Sequence, residues 1–102
     1  MKLNVSERLT LLKILPKGVN FVALKILRSL KSDLALSEAE VKQVEGIIDG
    51  EIFRWNDKLD VGSEIEIGEI ATSIIVKELK QLDKDEKLED EHYTLYEKFI
   101  GD

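Results

Sequence analysis

Gly46-Ile47-Ile48-Asp49-Gly50-Glu51-Ile52-Phe53-Arg54-Trp55 is the stretch on which the fold class turns. Asp49-Gly50 stands between β-branched and aromatic residues, the strongest short-range signal of a β-hairpin. With those two residues as the turn, Ile48 opposes Glu51 and Ile47 opposes Ile52. One face then gathers Ile48, Phe53 and Trp55, and the other Ile47, Ile52 and Arg54. Both turn residues are expected at positive φ, the type I′ arrangement.

Upstream the pattern is helical. Asn4 or Ser6 can cap a first short amphipathic helix carrying Leu9, Leu12 and Leu15 before Pro16-Lys17-Gly18 stops it. Asn20 offers the next cap, and Phe21, Leu24, Leu27, Leu30 and Leu34 recur at helical spacing with Lys25, Arg28 and Lys31 between them. Ser37-Glu38-Ala39-Glu40 has the form of a capping box and opens a third helix, with Val41 and Val44 facing inward.

Downstream, Asn56 to Ser63 reads as a loop, and Glu64-Ile65-Glu66-Ile67 alternates as a third, short strand. From Gly68 the period is helical again, placing Ile70, Ile74, Ile75, Leu79 and Leu82 inward. After the solvated connector Lys84-Asp85-Glu86-Lys87, a last helix from about Asp90 presents His92, Leu95, Tyr96, Phe99 and Ile100. The reading is α+β and mainly helical: about five helices, a central β-hairpin with room for a third short strand, and a winged-helix-like order in the N-terminal part. A chain of 102 residues is too short for two cores, so one domain over 1–102 is expected.

With 43% hydrophobic and 35% charged residues the chain can bury a core and stay in solution. It has no cysteine, which removes disulfides, thiolate metal sites and a cysteine nucleophile, and fits a reducing compartment. Charge at Lys2, Glu7 and Arg8 leaves no room for an export signal. Lys25, Arg28, Lys77 and Glu78 break the longest apolar stretches, so no membrane span and a cytoplasmic location are expected.

The net charge of -6 is divided unevenly. Residues 1 to 33 hold seven cations (Lys2, Arg8, Lys13, Lys17, Lys25, Arg28, Lys31) and two anions (Glu7, Asp33), whereas the remainder holds eight cations and nineteen anions. The N-terminal third is therefore basic and the rest acidic. Such a split marks a binding surface or brings opposite charges together inside one fold.

Motifs for catalysis are missing. His92, the one histidine, lacks the spacing of a paired-imidazole metal site, and no serine has the setting of a nucleophile elbow. The run Asp83-Lys84-Asp85-Glu86 lacks the glycine and ligand order of a calcium loop. No cofactor or metal is expected, and the chain is read as no enzyme. Three helices ahead of a hairpin suggest groove reading of DNA, but the third helix carries Glu38, Glu40 and Glu45 against Lys42, and phosphate would repel it. Lys25, Arg28 and Lys31, at i, i+3 and i+6, could instead meet a phosphate. Carboxylates imitating a nucleic-acid backbone are interrupted by lysines 77, 80, 84 and 87.

Taken together, Ser6-Glu7-Arg8-Leu9, Leu15-Pro16-Lys17, Asn20-Phe21, Leu24-Lys25-Ile26, Trp55-Asn56, Glu64-Ile65-Glu66-Ile67-Gly68-Glu69 and Leu95-Tyr96-Glu97-Lys98-Phe99 resemble a family of short phage and prophage accessory proteins. The resemblance implies no catalytic residues. It implies action by binding host components, in host takeover or counter-defence. The expected function is thus binding of a host protein; the alternative is a binder of nucleic acid or a nucleotide signal through Lys13, Lys17, Lys25, Arg28 and Lys31.

Overall fold

The computed structural model describes residues 1–101. In chain order it holds β1 (Lys2–Leu3), α1 (Val5–Ile14), α2 (Phe21–Leu34), α3 (Glu38–Gln43), β2 (Ile47–Asp49), β3 (Ile52–Arg54), β4 (Ser63–Glu64), α4 (Glu69–Lys84) and α5 (Tyr93–Phe99). Short 3-10 turns lie at Asp57–Leu59 and Asp90–His92. The fold is the expected mainly helical α+β arrangement.

Each of the first three helices starts at a side chain that accepts an otherwise unpaired N–H. Asn4 Oδ1 takes the Glu7 amide at 2.8 Å, Asn20 Oδ1 the Ala23 amide at 2.9 Å and Ser37 Oγ the Glu40 amide at 3.1 Å. Asn4 and Ser37 belong to full capping boxes, since Glu7 and Glu40 answer the cap amides in return.

The core lies between α1, α2, α4 and α5. Leu27, Leu30 and Leu34 of α2 face Ala71, Ile75 and Leu79 of α4, with Leu3, Leu11, Leu15, Ile65 and Leu95 completing one cluster. Three helices do precede the hairpin, but α3 buries no residue; α4 supplies the third core helix. Two sequence expectations shift accordingly. Leu24 and Ile70, read as inward, are 38% and 54% exposed: both lie towards the N-terminal ends of their helices, while Leu27, Leu30, Leu34, Ile75 and Leu79 of the same stripes are buried. Helix α1 is not one-sided: it buries Val5, Glu7, Arg8, Thr10 and Leu11 around its circumference.

The strands form two antiparallel pairs, β1 with β4 and β2 with β3. In the hairpin, Ile47 opposes Arg54, Ile48 opposes Phe53 and Asp49 opposes Ile52. The turn is therefore Gly50-Glu51, one residue later than expected. Gly50 has φ +64°, while neither Asp49 nor Glu51 has positive φ. That is the pattern of a type II′ turn, which needs positive φ only at its first central position; type I′ would have forced Glu51 there as well. Because the register slips by two residues, the two expected faces survive intact. The strand expected at Glu64–Ile67 is Ser63–Glu64, and it pairs with Lys2–Leu3. The Ile65 amide extends that ladder to the Met1 carbonyl at 2.8 Å.

Candidate functional site

Three features stand out: a buried polar junction, an unpartnered hairpin and a basic helix face.

The junction is built on Arg8, which is 2% exposed. Its Nε donates to the Leu34 carbonyl at 3.0 Å and its Nη2 to the Ala35 carbonyl at 2.7 Å, so the guanidinium sits on the negative end of α2. Its Nη1 pairs with Glu40 Oε2, an oxygen that also accepts from Ser63 Oγ at 3.1 Å. The Arg8 guanidinium beside it holds the Glu40 carboxyl at about 2, well below its ordinary value. Glu7, one residue earlier, is 3% exposed and meets Lys98 Nζ at 2.7 Å. Burial alone would raise its pKa, but the Lys98 ammonium and the Asn4 amide outweigh burial and lower it. Every charge here is matched, so the junction ties α1, α2, α3, β4 and α5 together and has no free group for chemistry. Reading the sequence found the Ser37–Glu40 box but not Arg8, since nothing in local spacing marks an arginine that will be buried.

The hairpin leaves Ile47, Ile48 and Ile52 65%, 77% and 57% exposed, on both of its faces. Its root is anchored: Phe53 stacks on Trp55 with ring centres 5.6 Å apart, and Phe53 also lies on Gly46, where a Cβ would come within 2.6 Å of the ring. The Trp55 indole N–H is buried and has no acceptor among the described residues.

Of the five cations expected to bind, Lys13 is placed 3.5 Å from Glu91 and is part of an internal ion pair. Lys17 is exposed in the α1–α2 connection. Lys25, Arg28 and Lys31 are exposed on α2 and make no ion pair among the described residues. Helical geometry spreads them over about 9 Å of axis and roughly a third of the circumference, which suits successive groups along a partner better than one phosphate. Lys25 lies 5.1 Å above the Phe21 ring. Phe21 and Val22, 68% and 63% exposed, add apolar surface at the same end of α2.

The only histidine is buried, and its Nδ1 accepts the Glu89 amide at 2.9 Å. Glu89, Glu91 and His92 are the ligand-type side chains that come together, with one ligand atom of each within 4.8 Å of the others. With Nδ1 already bonded, one imidazole nitrogen and two exposed carboxylates remain, a poor donor set for a structural metal.

No family model, curated protein or solved structure matches the chain. No described helix is long and apolar enough to cross a membrane.

Proposed function

We propose that this protein is a non-enzymatic accessory factor of the phage type that acts in the cytoplasm of a host cell by binding a host protein. The observation that carries the reading is the hairpin, which holds three isoleucines in water on both faces of a two-stranded sheet. A two-stranded ribbon is marginal alone, and large apolar side chains grouped on a surface favour cover by a partner. Its root is packed by Phe53, Trp55 and Gly46, so the exposed tip is presented by an anchored element. The sequence resemblance to phage accessory proteins supports the choice of a host component and a takeover or counter-defence role.

A second reading, binding of nucleic acid or a nucleotide through α2, is favoured by the unpaired state of Lys25, Arg28 and Lys31. One experiment separates the two: affinity capture from host lysate with the parent chain, Ile48→Lys and Arg28→Glu, each with and without nuclease. Under the first reading a partner survives nuclease and is lost with Ile48→Lys, while Arg28→Glu retains it. Capture abolished by nuclease and by Arg28→Glu would overturn that reading in favour of the second, with binding that weakens steeply as salt rises.

A further inference from the structure

A groove of about 570 Å³ lies beside α5, between the α4–α5 connection and the end of the chain. Its apolar wall is made by Leu88 and by the rings of Tyr93 and Tyr96. Tyr93 is 67% exposed, and the Tyr96 ring is held by its hydroxyl donating to Asp83 at 3.1 Å. Three carboxylates, Glu89, Asp90 and Glu97, line the same groove, and no lysine or arginine does. His92 also lines the groove, with its Nδ1 taken up by the Glu89 amide at 2.9 Å.

We infer that this groove docks an arginine or lysine side chain presented by a partner protein. The chemistry of each wall points the same way. Aromatic faces attract a guanidinium or ammonium through the ring quadrupole, the carboxylates supply its counter-charge, and Leu88 with the ring edges covers the methylene stem. The groove is open on one side and roomy enough for one long side chain laid along it. An anionic or purely apolar occupant would leave the three carboxylates either opposed or unpaired. The site is independent of the hairpin, on another part of the chain, so either proposal can fail alone.

The test is an amide chemical-shift titration of the full chain with a blocked Gly-Arg-Gly tripeptide, its citrulline analogue, which keeps the shape without the charge, and spermidine. The arginine peptide shifts amides between Leu88 and Gly101, and the citrulline peptide does not. Tyr93→Ala and Glu97→Gln, both at exposed positions, each weaken binding by about threefold to tenfold with the rest of the spectrum unchanged. No shift in the groove overturns the proposal, as does equal binding of citrulline, or shifts spread over the acidic surface and indifferent to Tyr93. Spermidine saturating the same amides at lower concentration than the arginine peptide overturns the assignment to a protein side chain.

Discussion

Arg8 makes its hydrogen bonds across long stretches of sequence: to carbonyls 26 and 27 residues away and to a carboxylate 32 residues away. Arg8 is buried while Glu40 is partly open to water, so Arg8→Met, which strips the Leu34 and Ala35 carbonyls of their donor, should lower stability by about 1–3 kcal/mol, measured by urea unfolding. Glu40 makes the same junction sensitive to acid. Its folded pKa of about 2 lies below the ordinary 4.5, so its contribution is complete above about pH 4.5 and disappears as pH falls towards 2. Glu7, also lowered, acts in the same direction. The urea midpoint should therefore drop through that window, and the drop should be shallower in Glu40→Gln. An unchanged acid profile in that variant would show that other carboxylates govern acid unfolding.

At the level of elements, a change of turn type makes a sharp prediction. Within the hairpin Gly50 alone has positive φ, so Gly50→Val should destabilise by about 1–3 kcal/mol, while Asp49→Val, at a strand position, should change stability by less than about 0.5 kcal/mol. Equal losses in thermal melts would restore the Asp49-Gly50 turn. Helices α2 and α4 were legible because a stripe repeating every three to four residues runs through each; Leu24 and Ile70 are misplaced because periodicity does not say how far along a helix the packing partner extends. The hairpin faces were legible because a two-residue slip preserves the alternation. The β1–β4 ladder was not, since Lys2–Leu3 is too short to show any period and its partner lies about 60 residues on. Of the basic candidates, α2 kept its cations free, but Lys13 found Glu91, a pairing that only the fold brings about.

Across the whole molecule one cluster of buried side chains holds the helices together, and the exposed positions around it set a contrast. Leu27, 1% exposed, lies at its centre, whereas Leu24 is 38% exposed on the same helix. Leu27→Ala should cost about 2–5 kcal/mol and Leu24→Ala much less, a difference that calorimetry would resolve. The radius of gyration, 14.0 Å, exceeds the roughly 13 Å usual for this length, as expected of a core with a ribbon standing off it. The junction at Glu7 and Arg8 has a further consequence for how the chain is born. Glu7 meets Lys98, 91 residues downstream, and Arg8 waits for Glu40. At about 5–20 residues per second, the ribosome takes roughly 5–20 s to deliver Lys98 after Glu7. During that interval α1 carries two charges destined for the interior with an incomplete set of partners, so α1 is finished only once α5 has been made.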